Sequence, residues 1–412
     1  MSNNIKKVVL AYSGGLDTSV IVPWLKENYN NPFVIGVCVN VGQTSELSNI
    51  NKRANSSGLD KLIVIDAQKE FIDNYCFKAL KAGAKYEGYT MGTPLARPLI
   101  AQKLVEIANK EHADAICHGA TGKGNDQVRF ELSIMNLAPN IKIIAPWREW
   151  ELTSRSDEFD YCEKHNIKLN GISREKNYSK DLNLWHLSHE GMELEDPSNE
   201  PNWEYMELCN TPEKASDEAE YISIEFEKGL PIKVNDEYLD SLSLVKKLNE
   251  IAGKHGIGIL DIVANRIIGM KAHSVSESPG ATLLYRAHEL LESLCLDKST
   301  THFKNFVAQE YAQLVYTGHW FTPLKEALDV FVDKTQEHVS GVVKLKLYKG
   351  NMIVAGLKSK YSLHSQELAT FEEDDIFNQK DSSGFLKIYG LEMKTLGLLK
   401  NKLTEDIDGK EK

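Results

Sequence analysis

The first third of the chain alternates short apolar runs with amphipathic stretches, and this alternation restricts the fold more than any other feature. Strands are predicted at five apolar, β-rich runs, residues 8–11, 33–39, 62–65, 115–117 and 141–145. Helices are predicted between them at 18–27, 68–80, 99–110 and 126–137. Short buried strands separated by helices predict an α/β fold, a doubly wound parallel sheet covered on both faces. Ligands of such sheets bind at the carboxyl ends of the strands.

The pattern changes after about residue 150 and predicts a second, α+β domain. A helix is predicted at 154–165, and the polar stretch that follows, 173–201, shows little periodicity. Hairpins are predicted at "YISIEFEKGLPIKV" and at "VVKLKLYKGNMIVAG", the latter around a Lys-Gly-Asn turn. Helices are predicted between them, including 241–255 and 281–294.

The final segment, "GFLKIYGLEMKTLGLLKNKL", predicts a strand followed by an amphipathic helix. Such a terminal helix packs either on another subunit or on its own domain, and the sequence leaves both open. The predicted domains are therefore a nucleotide-binding domain over 1–168, a substrate-binding domain over 169–365 and a C-terminal arm over 366–412, a candidate for oligomerisation.

Composition excludes several classes of function. The 412 residues carry a net charge of -11, which argues against a nucleic-acid-binding surface, because phosphate neutralisation needs clustered lysine and arginine. The six cysteines include no Cys-x-x-Cys pair, so they predict reduced thiols in a cytoplasmic protein and not a disulfide framework or a zinc site. No signal peptide or membrane-spanning run is predicted.

The turn after the first strand, "AYSGGLDTS", is the clearest candidate site. Gly14 and Gly15 let the backbone adopt positive φ and approach a ligand closely. The helix that starts near Asp17 offers free N–H groups and a positive dipole end to an anion. Hydroxyl donors follow at Ser13, Thr18 and Ser19. The chemistry suits pyrophosphate, although a simple N-cap turn is the alternative.

A second glycine-rich turn, "HGATGKGND", follows the strand predicted at 115–117 and is expected beside the first turn. It is not a Walker A loop, because the residue six before Lys123 is Cys117. Asn125 and Arg129 lie four residues apart on one helix face. Arg129 can form paired hydrogen bonds with a carboxylate or polarise a carbonyl oxygen. Asp126 either binds substrate or only caps the helix.

These motifs resemble one known family. The pattern Ser-Gly-Gly-x-Asp-Ser/Thr resembles the pyrophosphate loop of the N-type ATP pyrophosphatases. Within them, "HGATGKGNDQVRFEL" and "IKIIAPWREW" resemble argininosuccinate synthase, and "YEGY", "GTPLARPLIA", "AGKHGIG", "DIVANRIIGMK" and "LVYTGHW" extend the match along the chain. The resemblance implies a Rossmann-like ATP pyrophosphatase domain followed by a synthetase domain.

The resemblance also implies a reaction and its site residues. The ureido oxygen of citrulline attacks the α-phosphorus of ATP with Mg²⁺ present, and the amine of aspartate then displaces AMP. ATP would be held by Ala11, Tyr12, Ser13, Gly14, Gly15, Leu16, Asp17, Thr18, Ser19, Val39 and Gly119. Aspartate would be held by Thr121, Asn125 and Asp126. Citrulline would be held by Tyr89, Asn125, Arg129, Ser179 and Ser188.

Catalytic roles are predicted for Asp126, which would orient the amine or accept its proton, and for Asp17 and Arg129. Asp17 is a candidate metal ligand, with helix capping as its alternative, and the sequence identifies no further metal ligand. The implied partners are small-molecule substrates, with no nucleic acid and no membrane, in a homotetramer.

Three positions depart from the family pattern in the part of the chain that would hold citrulline. Ala264 stands where the family has Glu, Ser276 where it has Tyr, and Pro94 where it has Ser. Either the chain is an argininosuccinate synthase in which other residues, such as His273 or Glu277, replace the missing contacts, or it is a related ligase that joins aspartate to another ureido or carbonyl compound. A non-catalytic role is disfavoured by the intact glycine loop, and a tRNA-modifying enzyme by the acidic charge.

Overall fold

The computed structural model describes residues 5–43, 49–169, 172, 174, 178–369 and 378–408. Contacts divide the chain into two units, 1–361 and 362–412. The predicted boundary at residue 168 lies inside the first unit, and the predicted domain limits stay predictions.

A five-stranded parallel sheet forms the amino-terminal part of the first unit. Its strands are β1 (Lys7–Ala11), β2 (Phe33–Asn40), β3 (Lys61–Asp66), β4 (Ala115–Cys117) and β5 (Lys142–Ile144). They lie in the order β3-β2-β1-β4-β5, and every pairing is parallel. The predicted strands and fold class are confirmed. The direction of winding reverses between β1 and β4, so a crevice opens where these two strands end.

Helices cover this sheet and follow the predicted pattern with two differences. They are α1 (Leu16–Asn28), α2 (Ile50–Ser57), α3 (Gln68–Phe71), α4 (Phe77–Ala82), α5 (Gly92–Glu111), α6 (Asp126–Leu137) and α7 (Arg155–Lys164). A π-helical turn, Ile72–Cys76, joins α3 to α4. The prediction lacked α2, which is polar and buries only three residues. It also started α5 at residue 99, whereas the helix begins at Gly92 and contains Pro94 and Pro98.

Two antiparallel sheets follow. The first has strands β6 (Ser179–Leu182), β7 (Leu187–Glu190), β11 (Ile259–Asn265) and β12 (Lys271–Glu277), in the order β11-β12-β7-β6. The second has β8 (Glu220–Glu227), β9 (Leu230–Val234), β10 (Glu237–Tyr238), β13 (Gly341–Tyr348) and β14 (Asn351–Lys358), in the order β10-β9-β8-β13-β14. Both predicted hairpins are confirmed, and Lys349 and Gly350 turn the second with φ of 43° and 80°. The polar stretch predicted without regular structure contains β6 and β7.

Four helices complete the first unit: α8 (Ser241–Lys254), α9 (Pro279–Cys295), α10 (Lys298–Tyr316) and α11 (Pro323–Gln336). The predicted helices at 241–255 and 281–294 are confirmed as α8 and α9. Asp240 and Asp297 cap α8 and α10 by accepting hydrogen bonds from first-turn N–H groups. Each of the six cysteines is a buried free thiol.

The second unit is helical and comprises α12 (Gln366–Ala369), α13 (Asp381–Tyr389) and α14 (Leu391–Asp408) among the described residues. The strand predicted in the first half of "GFLKIYGLEMKTLGLLKNKL" is wrong, and the helix in its second half is confirmed. Phe385 stacks on Tyr389 with ring centroids 5.1 Å apart, a contact between residues four apart that a helix allows and a strand does not. Within the part of the chain described here, no helix is long and apolar enough to cross a membrane.

Candidate active site

A cavity of about 1310 Å³ lies at the carboxyl ends of β1 and β4 and extends to the β11-β12-β7-β6 sheet. It brings together almost all of the predicted site residues. Those that line it are Ala11, Tyr12, Ser13, Gly15, Leu16, Asp17, Thr18, Val39, Tyr89, Gly119, Thr121, Asn125, Asp126, Arg129, Ser179 and Ser188. Gly14, in the loop after β1, and Ser19, in the first turn of α1, do not line it.

The loop after β1 leads into a helix that no side chain caps. Gly15 occupies the N-cap position of α1, and Gly14 before it has a φ of 75°. The Gly15 N–H donates to Ser13 Oγ at 3.2 Å. The simple N-cap turn is therefore not supported, since neither Ser13 nor Asp17 caps α1. The first-turn N–H groups of α1 remain available to an anion.

Hydroxyl groups hold this loop in place from beneath. Ser19 Oγ donates to the Gly15 carbonyl oxygen at 2.8 Å, and Thr18 Oγ1 donates to the same oxygen at 3.3 Å. On the other side, Arg53 Nη1 from α2 donates to the Gly14 carbonyl oxygen at 3.2 Å. The buried Ser19 thus supports the loop and does not reach the cavity.

Two carboxyl groups meet at the start of α1. Asp17 lies in its first turn, and Glu158 is brought beside it by α7, which packs against α1. Glu158 is 2% exposed, and its Oε1 has no hydrogen-bond partner. Burial, and after it the charge of Asp17, raises the pKa of Glu158 to about 9. Burial also raises the pKa of Asp17. The pair therefore carries less negative charge than two ordinary carboxylates, and a cation could displace its proton.

The loop after β4 lies against the first loop, as predicted. A Cβ built on Gly119 would lie 3.1 Å from Ile21 Cδ1 and 3.7 Å from Asp17 Cβ. His118 braces this loop, because its Nδ1 accepts from the Ala120 N–H at 3.3 Å while its Nε2 lies 3.1 Å from Glu131 Oε1. Both glycine-rich turns therefore share one edge of the sheet.

Asp126 lies at the start of α6 between two guanidinium groups. Arg97 Nε donates to its Oδ2 at 2.8 Å, and Arg129 Nη1 donates to its Oδ1 at 2.8 Å. Arg97 also pairs with Asp181 on β6. Burial alone would raise the pKa of Asp126, but the two guanidinium groups outweigh burial and lower it. Asp126 is therefore ionised at neutral pH and is a weak proton acceptor.

The carboxyl end of α10 supports this cluster from the second half of the chain. Arg129 Nε donates to the Tyr316 carbonyl oxygen at 2.9 Å, and its guanidinium carbon lies 4.8 Å from the Tyr316 ring centroid. Asn125 Nδ2 donates to Tyr316 Oη at 3.0 Å. Gly318, with φ of 83°, lets the chain turn here, since a Cβ on it would lie 2.9 Å from Arg129 Cα. The positions of Asn125 and Arg129 thus depend on both halves of the chain.

Tyr89 is held by a buried histidine that the sequence did not single out. The Tyr89 Oη accepts from the Thr93 N–H at 3.2 Å and lies 3.3 Å from His186 Nε2. The same Nε2 lies 2.7 Å from Thr93 Oγ1. Burial lowers the pKa of His186 to about 4, so the ring is neutral. Gly92 is required beside it, because a Cβ there would lie 2.3 Å from His186 Cδ2.

Several charged residues of the cavity were missed by sequence reasoning: Arg53, Arg97, Glu158, Asp181, Glu190 and Arg266. Arg97 lies within "GTPLARPLIA" and Arg266 within "DIVANRIIGMK", two segments that resemble the family. A charged residue inside such a segment could have been recognised from the sequence as a candidate site residue. No local signal marks the others, because their place in the cavity depends on how distant elements pack.

The fold and this cavity define a class of protein. A doubly wound parallel sheet with an uncapped, glycine-preceded helix at its switch point is typical of proteins that bind the phosphates of nucleotides. The adjoining cluster of paired cations and carboxylates adds a place for small polar substrates.

Comparisons with known proteins identify the family. The family model described as "Arginosuccinate synthase N-terminal HUP domain" matches residues 7–168, and the "Arginosuccinate synthase C-terminal domain" matches residues 178–396. An argininosuccinate synthase of Caldanaerobacter subterraneus subsp. tengcongensis is 58% identical over 395 residues, 96% of each chain. One of Clostridium perfringens is 57% identical over 387 residues, 93% of this chain and 95% of the relative.

The solved structure of a U34-tRNA thiolase NcsA from Methanococcus maripaludis aligns over 40% of this chain and 59% of the thiolase chain, at 19% identity and with a TM-score of 0.28. This likeness supports no argument about the fold.

The chain belongs to the argininosuccinate synthase family. This is a family of ATP-using ligases, and the resemblance found in the sequence is confirmed.

Proposed function

We propose that the protein catalyses the ATP-dependent condensation of citrulline with aspartate and releases AMP and pyrophosphate. The observation that carries the proposal is that one cavity joins an uncapped phosphate loop to the Arg97–Asp126–Arg129 cluster. Relatives that match nearly the whole chain at 56–58% identity are argininosuccinate synthases, which favours this function over a ligase for a different acceptor.

The first step of the proposed reaction takes place at the loop after β1. The ureido oxygen of citrulline attacks the α-phosphorus of ATP, the bond from that phosphorus to the bridging oxygen breaks, and pyrophosphate leaves. N–H groups at the start of α1 and the hydroxyl of Ser13 would stabilise the charge on the leaving phosphates. Val39 and Gly119 line the same part of the cavity and would border the nucleotide.

Mg²⁺ is part of the proposal, and the carboxyl pair is the place that fits it. Asp17 and Glu158 would hold the ion, since Glu158 has a buried oxygen without a partner and carboxylate oxygens suit this metal. Among the residues that the structure describes, no group of three or more histidine, cysteine, aspartate or glutamate side chains could bind a metal. Phosphate oxygens and water would therefore supply the remaining ligands. The ion would neutralise phosphate charge.

In the second step the amine of aspartate attacks the activated ureido carbon, AMP leaves with the electron pair of the broken C–O bond, and the proton that the nitrogen loses passes to the departing phosphate or to water. Thr121, Asn125 and Asp126 would hold aspartate. Because two guanidinium groups lower the pKa of Asp126, we assign it the task of orienting the ammonium or amine, and not that of taking its proton. Arg129 would polarise the ureido oxygen.

Citrulline would occupy the part of the cavity bordered by Tyr89, Asn125, Arg129, Ser179 and Ser188. The protein would act in the cytoplasm, where its six buried thiols stay reduced.

We also propose a homotetramer assembled through the second unit. The helices of this unit expose many large apolar side chains: Phe385, Leu386, Ile388, Tyr389, Leu391, Met393, Leu396, Leu398, Leu399 and Leu403.

Product analysis tests the proposed reaction. The protein is incubated with ATP, Mg²⁺, citrulline and either aspartate or asparagine, and nucleotides are separated by chromatography. We expect AMP and pyrophosphate in equal amounts, with aspartate strongly preferred. Stoichiometric ADP, or equal turnover with asparagine, would refute the proposal.

The variant Asp126→Asn should lower kcat/KM for aspartate by roughly 100-fold, a loss of about 3 kcal/mol that matches a charged hydrogen bond. The matched control is Asp261→Asn, because Asp261 pairs with His273 and does not line the cavity. The two variants should have similar melting temperatures, so that a difference in turnover reports on the site.

A further inference from the structure

One wall of the cavity, on the side where the ureido substrate would bind, lacks a carboxylate that could pair with the α-ammonium group of a free amino acid. Resting on the proposed function, we propose that this site accepts ureido compounds whose α-amino group is acylated at least as well as it accepts free citrulline. The proposal concerns the same cavity and names the chemical class that its far wall fits.

The wall is built by alternate residues of an antiparallel sheet. Ala264 pairs with Ala272, Ile262 with Ser274, and Ser276 with Ser188. All six line the cavity. Because successive side chains of a strand point to opposite faces, these positions form one continuous surface. That surface consists of small apolar groups and hydroxyls and carries no charge.

The acids that do line this part of the cavity are already paired. Glu190 Oε2 accepts from Arg266 Nη2 at 2.8 Å. Asp181 pairs with Arg97, which also binds Asp126. Among the described residues around the wall, no carboxylate is left without a cation. An incoming ammonium would have to share a carboxylate with a guanidinium group that is already in place, and the like charges of the two cations would repel each other.

The two side chains that could compensate for Ala264 and Ser276 face away from the cavity. His273 Nε2 binds Asp261 Oδ1 at 2.6 Å. Glu277 is fully buried, lies 2.7 Å from His189 Nε2, and accepts hydrogen bonds from the backbone N–H groups of residues 207–209. Both belong to the odd-numbered face of β12, whereas the cavity is lined by the even-numbered face. Neither His273 nor Glu277 lines the cavity, which disfavours the alternative in which they replace the missing contacts.

An acylated α-nitrogen suits this wall better than an ammonium does. Acylation replaces the positive charge by one N–H donor and one carbonyl acceptor, which the hydroxyls of Ser188, Ser274 and Ser276 can satisfy. The methyl side chains of Ala264 and Ala272 leave room for the acyl group. An ammonium placed against the same wall would be desolvated without a partner.

Steady-state kinetics with three acceptors tests the proposal. Citrulline, Nα-acetylcitrulline and 5-ureidopentanoate are compared with saturating ATP and aspartate, and AMP is measured. We expect kcat/KM for Nα-acetylcitrulline to equal or exceed that for citrulline, with 5-ureidopentanoate also accepted. A kcat/KM for Nα-acetylcitrulline that lies below that for citrulline by more than the error of the measurement would overturn the proposal and leave the proposed function intact. Failure of every acceptor to yield AMP would refute the proposed function itself.

A pair of variants distinguishes the effect of a charge in the cavity wall from the effect of any substitution in strand β11. Ala264→Glu, alone and with Ser276→Tyr, should shift the ratio of kcat/KM values at least about 10-fold toward citrulline, the effect of one charged hydrogen bond. Val263→Glu is the matched control, because Val263 lies on the opposite face of the same strand and is 45% exposed. It should leave the ratio unchanged. An unchanged ratio in the Ala264→Glu variants, with ATP binding retained as proof of folding, would contradict the proposal.

Discussion

Gly14 is the residue at which backbone conformation and phosphate binding meet. Its φ of 75° lies in the left-handed region that glycine adopts without penalty. A Cβ there would lie 3.4 Å from Ile50 Cγ1 and 3.7 Å from Arg53 Cδ, so a branched side chain would crowd α2 as well as strain the loop. The carbonyl group of Gly14 is also held by Arg53. Substitution should therefore move the loop on which the N–H groups depend.

We predict that Gly14→Val abolishes measurable ATP binding by calorimetry. The control is Gly58→Val, since Gly58 has a similar φ of 77° with nothing within 4 Å of a built Cβ. Both variants should lose about 1–2 kcal/mol of unfolding free energy from backbone strain. Only Gly14→Val should lose ATP affinity. Equal ATP affinity in the two variants would show that the loop does not depend on this conformation.

The helix α7 illustrates how one element changes the chemistry of another. Its capping box at Ser154 and Asp157 sets where it begins, and packing against α1 then places Glu158 beside Asp17. The pKa of Glu158 is about 9 in the folded protein against an ordinary 4.5. Between these values the folded state retains a proton that the unfolded state has released. The free energy of unfolding therefore falls as pH rises through this window.

Glu158→Gln should remove this penalty. We expect the variant to be more stable than the unmodified protein by about 1–3 kcal/mol at pH 8, because the unmodified protein must take up a proton at Glu158 on folding and the variant need not, and little different at pH 4. Thermal unfolding at both pH values measures the effect. Glu163→Gln, on the same helix but exposed, should show no such dependence.

Calorimetry in buffers of different ionisation enthalpy supplies a second measurement. If the metal binds as proposed, addition of Mg²⁺ with ATP releases a proton from the unmodified protein and not from Glu158→Gln. Equal proton release from both proteins would refute the assignment of Glu158 to the metal.

At the scale of the whole molecule, the second unit carries a row of exposed leucines. Leu396, Leu399 and Leu403 recur at three- and four-residue intervals on α14, and each is more than half exposed. A contiguous apolar stripe of this kind is typical of a helix that packs against another chain. This is the basis for assigning assembly to the C-terminal arm.

Substitution of this stripe tests assembly in the full chain. Leu396→Lys with Leu399→Lys should reduce the mass in solution, measured by sedimentation, from that of a tetramer to that of a smaller species, because charge in an apolar interface is desolvated without a partner. Lys400→Glu, which changes charge on the same helix without removing an apolar group, should keep the original mass. An unchanged mass in the double variant would place the interface elsewhere.

Local pattern was sufficient for much of the fold and for the loop. Strands β1, β2 and β4 are largely buried and apolar, and α6 has the bounds predicted for it, because each carries its own periodicity and end signals. The Ser-Gly-Gly turn was also predictable from the sequence alone, and the longer motifs "HGATGKGNDQVRFEL" and "IKIIAPWREW" identified the family. Nearly all predicted site residues proved to line one cavity, because the carboxyl ends of parallel strands meet at one edge.

Tertiary structure decided what periodicity does not encode. Glu158 reaches Asp17 only because α7 packs on α1, and Arg97 pairs with Asp181, which lies 84 residues away in the sequence. The polar alternation of β6 and β7 becomes a strand pattern only when β12 pairs with β7. That pairing also determined which residues form the wall of the cavity that faces the acceptor, because it places Ser276 toward the cavity and Glu277 away from it. Neighbouring side chains of a strand lie on opposite faces, and only the pairing with other strands determines which face is buried.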